Sequence, residues 1–313
     1  MKFPVFDLHC DTANKLSGLG GAEPSELRKN NVHIDLERAG ELGGYAQCFA
    51  CFTTDFKKYN PVDIFEKKLA AIHRELAKNA DLICQAYTAD EIAENQNSGL
   101  MSAILTIEGP AGFGYDPELL EDLYKVGFRI SSLGWNEKNV LTGSNVTGGG
   151  LTELGREYVK EAQRLGMIID VSHISDEGFY DIINMTTAPV IATHSNSRKV
   201  CEHSRNLTDE MFLEICKTGG ATGINLYPDF LGENANIDSV CDHIFHFLEL
   251  DPSCSHIALG GDLDGIDTLP HGFAGVQDYN ALADRLLNRG LDEKTVYNIF
   301  WNNALGVMKR CCM

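Results

Sequence analysis

The sequence predicts a single closed (β/α)8 barrel of the TIM class over residues 1–313, and three observations lead there. Eight short apolar runs end in Gly or polar residues, longer segments of helical period lie between most of them, and no low-complexity linker or internal repeat divides the chain. That alternation is the mark of repeated βα units. At about 150 residues per domain the length suggests two domains, but α/β barrels commonly exceed about 200 residues as one unit. A doubly wound sheet is the other architecture that uses eight such strands.

In chain order the strands are expected at residues 4–8, 45–52, 102–107, 128–133, 167–171, 190–193, 221–226 and 257–259. Helices are expected between them at residues 61–78, 117–126, 152–165, 175–184, 208–217 and 238–248, and after the last strand at 279–288 and 293–309. Pro61 and Pro117 stand in first helical turns, where a missing N–H leaves nothing unpaired. Thr152, Ser175 and Thr208 open their helices as cap residues, each offering a side-chain oxygen to the free N–H groups of the first turn.

Hydrophobic residues make up 43% of the chain and charged residues 23%, enough apolar material for a substantial core. The formal charge is −19 and the pI is near 4.8. Such a balance repels phosphate backbones and anionic lipid, so neither nucleic acid nor a membrane is an expected partner. The ten cysteines are scattered through a chain too long to need stapling, which fits reduced thiols and a cytoplasmic location. The opening Met1-Lys2-Phe3-Pro4-Val5-Phe6-Asp7 lacks the apolar core of a signal peptide. No segment reaches the roughly 18 apolar residues of a membrane span. The closing Arg310-Cys311-Cys312-Met313 is not a prenylation box.

Barrel proteins place their chemistry at the C-terminal ends of strands, and here those ends are rich in metal-ligand residue types. The first run ends in His9-Cys10-Asp11, the third in Glu108, the fifth in His173, the sixth in His194 and the eighth in Asp262. Side chains alternate along a strand, so His9 and Asp11 point the same way and can grip one ion. His173 and His194 lie 21 residues apart, one βα unit, which puts them on adjacent strands and leaves Glu108 placed to bridge. Imidazole and carboxylate together suit Zn2+ or a similar ion, and a bridging carboxylate can hold two ions about 3.5–4 Å apart. Such a pair acidifies a bridging water and polarises a carbonyl.

Other motifs read as structure. His33-Ile34-Asp35 follows no apolar run and fits a loop entering a short helix. Cys48-Phe49-Ala50-Cys51 lies in an expected strand with no second pair at zinc-ribbon spacing. Asp262-Leu263-Asp264-Gly265 looks like a calcium loop, but the position that should carry a bidentate Glu is Phe273. Gly148-Gly149-Gly150 lacks the Walker Lys and the dinucleotide spacing. Neither Gly-x-Ser-x-Gly nor His-Glu-x-x-His is present.

Six tracts, taken in order and spacing, carry a family resemblance: Asp7-Leu8-His9-Cys10-Asp11-Thr12, Ile107-Glu108-Gly109, Asp170-Val171-Ser172-His173, Thr193-His194-Ser195-Asn196-Ser197, Ser204-Arg205-Asn206-Leu207 and Gly260-Gly261-Asp262-Leu263-Asp264-Gly265. Across nearly the whole chain the sequence resembles the membrane (renal) dipeptidase family of the amidohydrolase superfamily, in the shorter bacterial form. The resemblance implies that His9 and Asp11 bind one zinc, that Glu108 bridges, and that His173 and His194 bind a second zinc. It further implies that Arg205 binds the substrate carboxylate and that Asp262 contacts the substrate and handles the proton. Tyr227 is a candidate for either the pocket wall or the core, and Asp264 for either the site or its loop. One departure stands out: where relatives often carry a His after the fourth strand, this chain has Trp135, followed by Asn136.

The expected function is therefore a binuclear zinc dipeptidase, in which a hydroxide bridging the ions attacks the peptide carbonyl, with L,D-dipeptides among plausible substrates. The competing readings are an amidohydrolase of N-acyl amino acids, lactones or cyclic amides, and a non-catalytic metal-dependent binding protein. Oligomeric state is left open, with a homodimer common among barrel hydrolases of this kind.

Overall fold

The computed structural model describes residues 2–21, 23–55 and 59–312; Met1 and Met313, the outer ends of the terminal segments read above, lie outside them. Among the described residues nine strands form one parallel sheet: β1 (Val5–Cys10), β2 (Tyr45–Phe52), β3 (Ile83–Gln85), β4 (Met101–Glu108), β5 (Phe128–Ser132), β6 (Ile168–Asp170), β7 (Val190–Ile191), β8 (Thr222–Ile224) and β9 (Ile257–Leu259). Their order is β7-β6-β5-β4-β2-β1-β9-β8, and a parallel bridge between Ala192 and Thr222 draws the two ends together. Eight staves thus make a (β/α)8 barrel, and each coincides with an expected strand. The ninth, β3, was not expected. It pairs only with the start of β4, at Met101–Ala103, below the point where β5 takes over.

The interior is filled by one side chain from most strands, including Phe6, Ala46, Ile104, Ile130, Ile168, Ile191 and Ala258, all buried. Its N-terminal end is plugged by Trp301 and by Ala304, Val307 and Met308 of the helix Asn303–Cys311, with Trp301 and Phe6 rings 5.8 Å apart. The expected single helix at 293–309 is in fact two, Glu293–Tyr297 and Asn303–Cys311, joined by a π-helical turn over Asn298–Asn302. A second, larger core lies between the barrel and its outer helices. Thr152, Ser175 and Thr208 each cap their helix through the side-chain oxygen, as expected. Among the described residues no helix is long and apolar enough to cross a membrane.

Candidate active site

β1 carries a register shift between Asp7 and Cys10. Irregularities of this kind re-aim side chains, and here Leu8 joins the interior core while His9, the next residue, joins the polar cluster at the mouth. Asp7 holds the distorted segment by accepting hydrogen bonds from the backbone N–H of His9 (2.9 Å) and Gly261 (3.1 Å) and from the Tyr279 hydroxyl. Glu108 is the last residue of β4, and His173, His194 and Asp262 each lie three residues past the ends of β6, β7 and β9. His173 and Asp262 adopt left-handed backbone angles, φ +69° and +57°. That conformation costs a non-glycine residue about 1–2 kcal/mol, and the surrounding fold must hold it in place.

The structure brings together all five residues that the sequence proposed as ligands, with Asp262 beside them. His9 Nε2 lies 3.5 Å from Glu108 Oε2, 3.7 Å from Asp11 Oδ2 and 3.8 Å from Asp262 Oδ1. The other Glu108 oxygen, Oε1, lies 3.2 Å from His173 Nε2 and 4.0 Å from His194 Nε2. Glu108 therefore spans two groups of donors, one oxygen to each. Burial alone would make His9 less basic, but Glu108, Asp11 and Asp262 outweigh it and hold the imidazole well above its ordinary pKa. Burial, with the positive charge of Arg205 nearby, takes His173 down to about 4.

Several features of the donors themselves call for a cation. His9 Nε2 and Glu108 Oε2 are buried without a hydrogen-bond partner, a costly condition for polar atoms. His173 Nδ1 is 2.9 Å from Asn136 Oδ1, which can only accept, so Nδ1 carries the proton and Nε2 a lone pair. Asp170 accepts the Thr193 hydroxyl at 2.6 Å, and Thr193 Oγ1 in turn takes the proton on His194 Nδ1 at 2.7 Å. His194 Nε2 is thereby also left with a lone pair. The two Nε2 atoms face each other at 2.9 Å, which is repulsive unless a cation sits close to both. Among the described residues, the groups able to share ions include His9, Glu108 and His194, and His9, Asp11 and Asp262.

Beside this cluster lies a cavity of about 350 Å³ whose wall includes Arg205, Asp262, Trp135, Tyr227 and Phe230. Arg205 is buried, makes one long contact from Nη2 to the His194 carbonyl (3.5 Å), sits 5.5 Å over the Phe230 ring and leaves Nε without a partner. Asp262 Oδ2 accepts from Asn225 Nδ2 at 3.1 Å, and burial pushes its carboxyl up to about 7. Tyr227 lines the pocket, as the sequence suggested. Trp135 meets the Phe52 ring at a tilt, with centroids 5.0 Å apart, and walls the same cavity, while Asn136 is committed to His173.

Asp264 belongs to the loop: its oxygens accept from the Thr12 hydroxyl (2.6 Å) and the His33 N–H (2.7 Å). His33 in turn leads into the short helix Leu36–Ala39 capped by Asp35, and Cys48 and Cys51 fall in different cores on opposite faces of β2. Sequence reasoning did not single out Asp7, Asn136, Asp170, Thr193 or Asn225 for the supporting roles they occupy. The one available signal was Asp two residues before His9 and before Ser172, where a carboxylate can accept the N–H two residues on.

The chain is similar to known proteins along its whole length. An uncharacterized dipeptidase of Schizosaccharomyces pombe is 37% identical over 216 residues, which are 67% of this chain and 53% of that protein. The crystal structure of a metallo peptidase from Rhodobacter sphaeroides, liganded with a phosphinate mimic of the dipeptide L-Ala-D-Ala, superposes with a TM-score of 0.91 at 26% identity, covering 99% of this chain and 100% of that one. The dipeptidase AC, a metallo peptidase of family M19, superposes with a TM-score of 0.92 at 26% identity over 100% and 99% of the two chains. Residues 1–312 match the sequence model of the family described as membrane dipeptidase, peptidase family M19. With a barrel of the same shape and its polar cluster at the mouth, the chain belongs to the membrane dipeptidase family of metallopeptidases.

Proposed function

We propose that the protein is a metal-dependent dipeptidase that hydrolyses the peptide bond of free dipeptides, L,D-dipeptides among them. The observation that carries this reading is Glu108, with one oxygen toward His9 and the other toward His173 and His194, in a cluster whose buried donors lack partners. His9, Asp11 and Glu108 would hold one Zn2+ ion and Glu108, His173 and His194 a second, Glu108 bridging. When bound, the ions supply an acidified water as nucleophile and polarise the scissile carbonyl.

The protein's own groups do the rest. Arg205 presents an underused guanidinium to the cavity, suited to grip the C-terminal carboxylate of the substrate through two parallel hydrogen bonds. Asp262, beside the clustered donors and with its Oδ2 steadied by Asn225, takes the proton of the attacking water and returns it to the leaving amine. Trp135, Tyr227 and Phe230 wall off water around the bond to be cleaved. Asn136 keeps the His173 ring in position, and Asp170 acting through Thr193 does the same for His194. The solved relative that holds an L-Ala-D-Ala mimic supports counting L,D-dipeptides among the substrates. The ten free thiols support a reducing, cytoplasmic setting.

Metal content and hydrolysis should be measured together, on a panel of L,L- and L,D-dipeptides, before and after chelation. Activity is expected to disappear with the metal and return when Zn2+ is restored. Full activity in rigorously metal-free protein would reject the mechanism. Turnover confined to N-acyl amino acids, lactones or cyclic amides on the same panel would replace the substrate assignment, and bound metal with no turnover at all would favour a binding protein.

A further inference from the structure

We propose a second metal site at the opposite end of the barrel, where Cys216, Asp251 and His256 bind a divalent cation of the Zn2+ type. Cys216 lies in the last turn of the helix Asp209–Thr218, which leads into β8. Asp251 caps the C-terminus of the helix Ile237–Leu250, and His256 immediately precedes the first residue of β9. All three therefore sit at the N-terminal ends of strands, away from the mouth. The Cys216 sulfur, a carboxylate oxygen of Asp251 and a ring nitrogen of His256 all lie within 4.8 Å of one another, and all three residues are half-buried.

The surroundings prepare these groups to act as ligands. His256 Nδ1 is 2.7 Å from the Gly220 carbonyl oxygen, which can only accept. That fixes the proton on Nδ1 and leaves a lone pair on Nε2, the arrangement in which a backbone carbonyl orients a metal-binding imidazole. The His256 carbonyl is itself held by the Thr222 N–H at 2.8 Å. Asp251 is aimed by the N–H groups of Ser253 and Ser255, at 3.1 and 3.2 Å, one on each carboxylate oxygen. The two helices are locked side by side by Phe212 and Phe247, stacked with centroids 4.2 Å apart. Their C-termini both end here, and the partial negative charge of a helix C-terminus favours a cation.

Thiolate, carboxylate and imidazole form a donor set for zinc, and three protein ligands leave the fourth position to water. Without a cation, burial and the adjacent Asp251 push the Cys216 thiol up to about 12, so it stays protonated. A bound divalent ion reverses that balance, since a coordinating thiol is deprotonated outright. The site lies on the barrel face opposite the mouth, where a bound ion would link the approaches to β8 and β9.

Sulfur separates this site from the one at the mouth, where the clustered donors are nitrogen and oxygen only. The whole chain, reduced and stripped with a chelator, is titrated with Cd2+ and the thiolate-to-metal charge-transfer absorption is followed in the ultraviolet. The band is expected in the unaltered protein and in a His9→Ala/His194→Ala variant, and it is expected to vanish in Cys216→Ser and to weaken in His256→Ala. Alkylation of Cys216, read by mass spectrometry, should slow when Zn2+ is present. No band in the unaltered protein, or a band of full strength in Cys216→Ser, would overturn the assignment.

Discussion

Arg205 is a buried cation to which its own protein gives little: one carbonyl at 3.5 Å and the face of one aromatic ring. A carboxylate placed in the adjoining cavity would use the fork that the fold leaves open. Arg205→Ala is expected to raise KM for free dipeptides about 10- to 100-fold, the loss of roughly 1.5–3 kcal/mol of charge-assisted hydrogen bonding, and to leave C-terminally amidated substrates nearly unchanged. An equal rise for both substrates would remove the carboxylate role. Asp262→Asn keeps the hydrogen-bonding shape and loses the proton site, so kcat should fall by about 10²–10⁴ with KM little altered. A variant that kept its kcat would show that the proton travels elsewhere. At this scale the sequence revealed the groups that carry unusual chemistry at strand ends. It hid the helpers, because Asn136, Thr193 and Asn225 are ordinary polar residues whose roles come from what stands across from them in neighbouring segments.

The ends of β7, β8 and β9 meet around the carbonyl of Thr193, one residue before His194. A methyl group on Gly260 would come within 1.7 Å of that oxygen, and one on Gly223 within 2.0 Å. Only glycine allows the three segments to close so tightly. Gly260→Ala is therefore expected to shift Thr193 and with it His194, weakening metal binding about 10- to 100-fold, as loss of a supporting contact does, and lowering Tm. Calorimetric titration checks the affinity; an unchanged value would mean that the strand ends relax without disturbing the ligand. Strand positions were readable because each apolar run is sharply bounded, whereas β3, Ile83-Cys84-Gln85, carries little apolar pattern of its own. The helix Ala89–Asn97 that follows β3 did leave a trace, Thr88 with Glu91 three residues on, now a formed capping box. The π-helical turn at Asn298–Asn302 had no trace, since the apolar residues on either side continue a helical period that the backbone breaks to bring Trp301 under the barrel.

Acid tolerance of the molecule is set in part by a group outside the clustered donors. His243 is fully buried, accepts the Ser197 N–H at 3.1 Å through Nδ1 and donates through Nε2 to the Leu231 carbonyl at 3.3 Å. Burial takes it down to about 4, so the folded protein keeps it neutral where the unfolded chain, near 6.5, takes up a proton. Above about pH 6.5 it contributes no pH dependence, and between there and about pH 4 stability falls as pH falls, by up to about 3 kcal/mol from this group. Denaturant unfolding across that window should be visibly flatter for His243→Gln than for the unaltered protein. An identical slope in the two would assign the acid sensitivity to other groups.

The barrel is joined through its first and last strands, with Asp7 on β1 holding Gly261 just past β9, and its floor is laid by Trp301 and the helix Asn303–Cys311, which follow every strand. During synthesis the chain thus emerges with its first donor, His9, long before the strand that fixes it beside the others. Contacts of such sequence separation form slowly. On the proposed metal binding, ion capture at the mouth would be a terminal event of biogenesis, and a nascent chain stalled before residue 257 would present the same side chains as loose, competing chelators instead of a shaped receptacle.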